Sequence, residues 1–227
     1  MDRVQKLLSN YGYISRRKAE EIIKEGRVKV NGKVISIGDK ASEDDKIYVD
    51  GKLVKKQEKV YIMFYKPLGC VTALTDPQYK TVMDFINVKE RVFPIGRLDY
   101  NSSGLLLLTN DGDFANKVMH PRYEVNKTYM AEVNNPISYN KIKLIEQGIR
   151  LEGEKTAPAQ VKKHGLTLIE ITIHEGKNRI IRKMLEELEF KVISLKRIKI
   201  GNLELGNLKP EEYRNLTEKD KERVFES

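Results

Sequence analysis

Twenty residues near the middle of the chain constrain its fold more than any other stretch: Phe93-Pro-Ile-Gly-Arg-Leu-Asp-Tyr-Asn-Ser-Ser-Gly-Leu-Leu-Leu-Leu-Thr-Asn-Asp-Gly112. Two apolar runs, Val92 to Ile95 and Leu105 to Leu108, read as short buried strands. The polar loop between them ends in Gly104, and its one acid is Asp99. Leu98 can anchor the base of the loop, and Arg97 places a cation two residues from the carboxylate. An acid at the mouth of a sheet with an arginine beside it fits a catalytic group. From spacing alone, however, an Asp in such a loop is more often a turn former that bonds its own backbone.

The chain has room for one large or two small domains, since 227 residues can bury a real core in either arrangement. Its apolar runs fall far short of the ~18 residues a membrane helix needs. Met1-Asp-Arg-Val-Gln-Lys has neither the apolar centre nor the cleavage site of a secretion signal. Cys70 is the single cysteine, flanked by Leu68 and Val71, and reads as a buried small hydrophobe; with no disulfide possible, a reducing cytoplasm is the expected setting. Net charge is +9, which favours a polyanionic partner without specifying one. The distribution says more. The first sixty residues hold 15 Lys and Arg against 10 Asp and Glu, over half of the excess in about a quarter of the chain. A membrane surface would need a basic helix with bulky apolar anchors, which is not evident.

Those sixty residues begin with a short helix from Arg3 to Ser9, with Val4, Leu7 and Leu8 on one face. Ser15 is then an N-cap for Arg16 to Glu25, with Gly26 as its stop and Ala19, Ile22 and Ile23 as its apolar stripe. Arg16, Arg17 and Lys18 crowd the first turn, where the helix dipole disfavours cations, so a task other than helix stability is indicated. Phosphate binding fits, because backbone N–H groups and basic side chains would face one anion. A solvated charged face is about as good an account from the residues alone. Strand signals follow at Val28 to Val30, Val34 to Ile37 and Lys46 to Val49, with turns at Asn31-Gly32 and Asp50-Gly51. The pattern Arg3…Lys6-Leu-Leu…Ser15-Arg-Arg-Lys-Ala-Glu…Ile23…Gly26-Arg-Val-Lys-Val-Asn-Gly32 resembles the RNA-binding domain named after small-subunit ribosomal protein four. The resemblance implies contact with structured RNA through Arg3, Lys6, Arg16, Arg17, Lys18 and Arg27, and by itself implies no reaction.

Lys52 to Lys59 is polar and lysine-rich, and is the expected linker, giving domains at 1–59 and 60–227. Beyond it, Val60 to Tyr65 reads as a buried strand ended by Lys66-Pro67. Short helices are expected at Thr81 to Ile86 and at Asp113 to His120, the latter stopped by Pro121. Lys127 to Val133 alternates like a strand, Ser138 to Gln147 is an amphipathic helix stopped by Gly148, and Gly165 to His174 has mostly period two. Asn178 to Glu189 is a helix and Val192 to Ile200 a strand. The fold class is therefore α+β: a small helix-helix-sheet RNA-binding domain, then a mixed, mainly antiparallel sheet with flanking helices.

His120, His164 and His174 show no close pairing and have no cysteine partners, so a zinc site is not expected. No phosphate-cradling or dinucleotide-binding glycine motif is present either. Asp99 remains the candidate. The run from Gly96 to Gly112 resembles the signature of the RsuA/RluB family of ribosomal RNA pseudouridine synthases. So do Tyr65-Lys-Pro-Leu-Gly69, His120-Pro…Lys127-Thr-Tyr129, Gly148…Thr156-Ala-Pro-Ala159 and Glu175-Gly-Lys-Asn-Arg-Ile-Ile-Arg-Lys-Met184, in order along essentially the whole chain. Two departures are small: Ser102 stands where the family usually has Thr, and Ile180 where Gln is common.

The resemblance implies that a uridine's glycosidic bond is broken, the base turned, and the base rejoined through carbon, with no metal or organic cofactor. Asp99 matches the family's essential aspartate, acting as nucleophile or as base. Arg182 matches its active-site arginine and Tyr129 its active-site tyrosine. On a helical wheel Arg182 lies roughly 100° from Ile181, at the border of a core face made by Ile181, Met184, Leu185 and Leu188. A snorkelling boundary arginine and an aromatic that merely packs are the plainer readings of those two residues. Lys66 and Arg97 take RNA-contacting or loop-positioning roles. A uridine in folded RNA must be flipped out to reach a carboxylate. The implied partner is ribosomal RNA, with 23S favoured over 16S, and monomer is the default state. Two rivals remain at this point, a non-catalytic RNA-binding or ribosome-assembly factor and an RNA hydrolase.

Overall fold

Apolar spacing and turn chemistry account for the first sixty residues of the fold. A computed structural model describes residues 1–226, and by the spatial proximity of their backbones they fall into two compact units. The first comprises Met1–Tyr61 with Val88–Phe93 and Thr109–Ala115; the second comprises Ile62–Asn87, Pro94–Leu108 and Asn116 onward. The two later segments of the first unit thus come after the boundary expected at 59/60. The second of them is tied there by buried polar groups. Asn110 donates to the Glu58 carbonyl at 2.6 Å and accepts from the Val60 amide at 2.9 Å, while the Thr109 hydroxyl donates to the Val60 carbonyl.

In the first unit, β1 (Asp2–Arg3) leads into α1 (Val4–Asn10) and α2 (Arg16–Lys24), followed by β2 (Val28–Val30), β3 (Lys33–Val34), β4 (Lys40–Ala41), β5 (Ile47–Val49) and β6 (Lys52–Leu53). The Ser15 hydroxyl accepts from the Lys18 amide and so caps α2. Beyond its end, the Gly26 amide donates to Ile23 and the Arg27 amide to Ile22, with Gly26 at φ +72°. These two bonds close a Schellman motif, which needs a residue at ease in the left-handed region. Asn31-Gly32 and Asp50-Gly51 both have two positive φ values, the requirement of the two-residue turn joining β2 to β3 and β5 to β6. Val4, Leu7, Leu8, Ala19, Ile22 and Ile23 face Val28, Ile47 and Val49 in one core. Two expectations need correction. The third strand stops at Val34, because Asp39 accepts from the Ser36 amide and turns the chain. Lys52–Leu53 is no linker: it pairs with β5, and Val54 is buried in the core behind it.

The second unit carries a nine-stranded sheet. Its strands are β7 (Tyr61–Lys66), β8 (Phe93–Ile95), β9 (Ser103–Thr109), β10 (Lys127–Val133), β13 (Gln160–Lys163), β14 (Leu168–Ile173), β15 (Val192–Ile200), β16 (Leu203–Glu204) and β17 (Tyr213–Asn215). The separate hairpin of β11 (Arg150–Leu151) and β12 (Glu154–Lys155) lies between them in sequence. Strand order is β13-β14-β10-β15-β9-β7-β17, with β8 on β9 and β16 on β15. Pairing is antiparallel throughout β13 to β15 and parallel between β15 and β9, so the expected mixed, mainly antiparallel sheet is borne out. The helices are α3 (Gly112–Met119), α4 (Tyr139–Gln147), α5 (Ile180–Glu187) and α6 (Glu218–Arg223), with a one-turn helix at Val82–Phe85 capped by Thr81.

Burial explains which sequence pattern each strand shows. Leu105 to Leu108 and Ile62 to Phe64 are buried on both faces and read as continuous apolar runs. In β14, Ile169, Ile171 and Ile173 alternate inward. They form one core with Ala131 and Val133 of β10, Leu195 of β15, Ile142 and Ile145 of α4, and Ile181, Met184 and Leu185 of α5. Truncating one such residue to alanine costs about 2–5 kcal/mol. β14 begins at Leu168 rather than Gly165, and Leu166 is 70% exposed in the preceding turn.

Candidate active site

Asp99 sits half-buried on the loop between β8 and β9, and that loop is held by its own carbonyls. All five from Leu98 to Ser102 have a donor. The Leu98 carbonyl accepts from the Thr72 hydroxyl at 2.7 Å, and Asp99's from the Ser102 amide at 3.0 Å. Tyr100's accepts from the Gly69 amide at 3.1 Å, Asn101's from Arg182 Nη2 at 2.6 Å, and Ser102's from Lys66 Nζ at 2.9 Å. Thr72 also accepts from the Leu98 amide, so one hydroxyl clamps both polar groups of the residue before the acid. Five residues with every carbonyl engaged leave the Asp99 backbone little freedom. The turn-former reading therefore fails in one respect: the loop is shaped by side chains from elsewhere, while Asp99's carboxylate forms no hydrogen bond or ion pair among the described residues.

Two buried cations lie within electrostatic reach of that carboxylate. Lys66 is fully buried, and its Nζ donates to the carbonyls of Pro67 and Ser102. Burial pulls its pKa below the ordinary lysine value, opposed in part by Asp99. Arg182, 7% exposed on α5, is lowered by burial and by Arg179, and again Asp99 works the other way. Its place follows from the helix wheel: Ile181, Met184 and Leu185 take the core, and the guanidinium crosses to the loop. Beyond Asn101, Nη2 also reaches the Ser102 hydroxyl at 3.4 Å.

Tyr129 projects from β10, half-buried at the end of the helix-covered core. A register shift between Thr128 and Tyr129 sets it opposite Arg197 of β15, which in turn is opposite Gly104 of β9. Residues opposite one another share a face. Arg197 is 3% exposed; its Nε donates to the Leu105 carbonyl at 2.7 Å and its Nη1 to the Tyr129 hydroxyl at 3.4 Å. Gly104 has φ +107°, and a Cβ there would fall 2.1 Å from the Arg197 carbonyl oxygen. Only glycine lets β9 and β15 approach this closely. Arg182 Nε and Arg197 Nη2 are both buried without a partner among the described residues. Unsatisfied donors of this kind cost about 1–3 kcal/mol each and collect at functional sites. Lys127, two residues before Tyr129, donates to the Val125 carbonyl at 2.8 Å; burial, aided by Arg197, pulls its amine down to about 8.

The structure brings Asp99, Lys66 and Arg182 together around one loop and pairs Tyr129 with Arg197. Of the two roles expected for Lys66, burial and carbonyl partners favour loop positioning over RNA contact, a correction for its RNA-binding assignment. Arg97 is exposed and makes no ion pair among the described residues. In the first unit Arg3, Arg16 and Arg17 are exposed and likewise without ion pairs. Lys18 pairs with Glu21, Lys6 with Asp2 and Asp113, and Arg27 forks onto Asp50 while also bonding Glu25. Thr72 and Arg197 were not anticipated. Period two from buried Leu195 was the available signal for Arg197, since it places residue 197 on the same face. No group of His, Cys, Asp and Glu among the described residues is arranged to hold a metal ion, and no helix is long and apolar enough to cross a membrane.

Comparison with known proteins agrees along the whole chain. The family model described as RNA pseudouridylate synthase matches residues 60–187, and that of the S4 domain matches residues 2–47. The chain is 48% identical to ribosomal large subunit pseudouridine synthase B of Bacillus subtilis (strain 168), an alignment covering 99% of this chain and 96% of that one. It is 37% identical to the dual-specificity RNA pseudouridine synthase RluF of Escherichia coli (strain K12), over 95% and 76% of the two chains. A crystal structure of a pseudouridylate synthase superposes with TM-score 0.74 at 31% identity, covering 99% of this chain and all of that one. With an S4 domain at its start and a pseudouridylate synthase match over residues 60–187, the chain belongs to the RNA pseudouridylate synthase family, in its RsuA/RluB branch.

Proposed function

We propose that this protein converts a specific uridine of 23S ribosomal RNA to pseudouridine, with Asp99 as the essential carboxylate. The observation that carries the reading is the Asp99 loop: every carbonyl from Leu98 to Ser102 is engaged, the carboxylate has no hydrogen bond or ion pair among the described residues, and Lys66 and Arg182 stand within electrostatic reach. Such a carboxylate is preorganised for attack or for proton abstraction and pays little at the moment of reaction. The uridine's C1′–N1 bond breaks, the uracil turns, C5 bonds to C1′, the C5 proton leaves, and N1 takes up a proton. No atom is gained or lost overall. Asp99 acts on the ribose or on the base, as nucleophile or as proton acceptor.

Arg182 holds the loop through Asn101 and adds positive charge beside the acid. Tyr129 contacts the flipped uracil by its ring or its hydroxyl, steadied by Arg197. Arg97 meets RNA at the outer edge of the loop, and Lys66 keeps the loop in shape. The S4 unit grips neighbouring RNA by phosphate contacts, foremost through Arg3, Arg16 and Arg17, which make no ion pair among the described residues. Preference for 23S RNA rests on the likeness to the large-subunit enzyme of Bacillus subtilis. The enzyme works as a monomer in the cytoplasm.

The test is tritium release from carbon-five-labelled 23S and 16S transcripts and from subunits of a strain lacking the protein. Wild type releases tritium from 23S RNA, and Asp99→Asn does not. Release from 16S RNA alone would overturn the substrate preference. No release from either RNA, or chain cleavage in place of release, would overturn the synthase reading.

A further inference from the structure

The connection from β7 to the one-turn helix at Val82–Phe85 closes on itself. The Val71 amide donates to the Lys80 carbonyl at 2.9 Å and the Val82 amide to the Val71 carbonyl at 3.0 Å, so both ends of the 72–80 loop meet in one neck. Residues 74 to 80 are all exposed. Inside the loop, the Asp76 carboxylate accepts from the amides of Gln78 and Tyr79, which sets the direction of the chain at Tyr79. A closed, internally bonded loop of this size is a defined surface feature rather than a loose connection.

This loop is fastened to the Asp99 loop. Thr72 clamps Leu98, and the Gly69 amide holds the Tyr100 carbonyl. At the outer edge Tyr79 meets Tyr100, the residue directly after Asp99, with ring centroids 5.3 Å apart and planes at 66°. Both rings remain open to solvent, Tyr79 at 50% and Tyr100 at 42%. An edge-to-face pair fixes both rings yet leaves a π-face free for a further planar group. Lys80, next to Tyr79, and Arg97, three residues before Tyr100, are exposed cations without ion pairs among the described residues.

We infer that Tyr79 and Tyr100 form a stacking platform for a nucleobase adjacent to the target uridine, with Lys80 and Arg97 meeting its phosphates. The inference rests on the synthase reading and adds a specificity site to it. Planar solvent-exposed aromatics beside free cations fit single-stranded RNA, whose unpaired bases stack on tyrosine and whose backbone is anionic. Flipping the uridine unstacks its neighbour, which then needs a new partner. A platform one residue from Asp99 supplies it without touching the reacting atoms.

The experiment uses the full chain and an RNA that wild type demonstrably modifies, so a failed synthase reading would already show in the wild-type control. Tyr79→Ala, Tyr100→Leu and the double variant are compared with wild type by tritium release and by RNA binding. Melting curves confirm folding, since both side chains are largely exposed. We expect KM and Kd to rise roughly 5- to 150-fold in the double variant, the range found for losing one stacked base, with kcat nearly unchanged. An abasic nucleotide placed beside the target, tried on each side in turn, should weaken wild type by a similar factor on one side. There it should weaken the double variant far less. Unchanged KM and Kd would overturn the inference. So would a fall in kcat alone, which would make the pair a prop for the Asp99 loop, or equal abasic losses in wild type and variant.

Discussion

Arg197 Nη1 donates to the hydroxyl of Tyr129 at 3.4 Å across two adjacent strands, while its Nε donates to the Leu105 carbonyl. One buried guanidinium thus couples the proposed base-contacting tyrosine to the strand that leaves the Asp99 loop. If that coupling positions Tyr129, the two residues will not act independently. Arg197→Met should lower kcat/KM at least tenfold in the native background and by clearly less in Tyr129→Phe. Arg197→Lys should recover part of the loss. A double-mutant cycle on tritium release measures this; additivity within ~0.5 kcal/mol would refute the coupling.

Gly104 lies opposite Arg197 on the neighbouring strand, and a methyl group there would overlap the Arg197 carbonyl. Gly104→Ala should destabilise the protein by about 1–3 kcal/mol, from overpacking and from a positive φ that alanine resists. Urea unfolding gives the number. A change below ~0.5 kcal/mol would mean the two strands part at little cost.

Lys66 is buried and donates to two carbonyls, one of them in the Asp99 loop. Lys66→Met removes both bonds and a positive charge near the carboxylate. Stability should fall by roughly 1–3 kcal/mol. Turnover should fall by an order of magnitude or more, with KM for RNA within about twofold of wild type. A raised KM with native kcat would instead make Lys66 an RNA contact.

Lys127 carries a pH signature. Burial depresses its amine from the ordinary 10.5 to about 8 in the folded chain. Between those values the unfolded chain binds the proton that the folded chain has released, so its contribution to stability rises with pH. Wild type should therefore gain on Lys127→Met by on the order of 1–3 kcal/mol as pH climbs from about 8 to 10.5. Denaturant unfolding of both proteins across that range reads the difference directly. A flat difference would show that Lys127 keeps an ordinary pKa.

Much of this architecture could be read from residues alone, for identifiable reasons. Helix α2 declares itself by the Ser15 cap, the Ala19, Ile22 and Ile23 stripe and the Gly26 stop, all local chemistry. A helical wheel sets Arg182 at the border of the core face, while its place in the site is implied only by the family resemblance. Thr72 could not be placed, since its role is a bond to Leu98 across 26 residues. Arg197 stands among Lys196 and Lys199, a run that resembles a solvated strand, and only its period-two spacing from Leu195 marks it as inward. For Lys66 the sequence leaves RNA contact and loop positioning both open, because carbonyl partners for a buried lysine leave no mark in sequence. Lys52–Leu53 was read as linker because two-residue strands are too short to show a period.

The neck at Val71, Lys80 and Val82 has a consequence for how such a protein can diversify. Because the loop ends are already joined there, residues 74 to 78 can be exchanged, lengthened or shortened without transmitting strain to Leu98 and Asp99. The proposed reacting carboxylate and the surface inferred to meet RNA are then separate inheritances. A lineage could acquire a new target by rewriting a handful of exposed positions while its chemistry stays untouched.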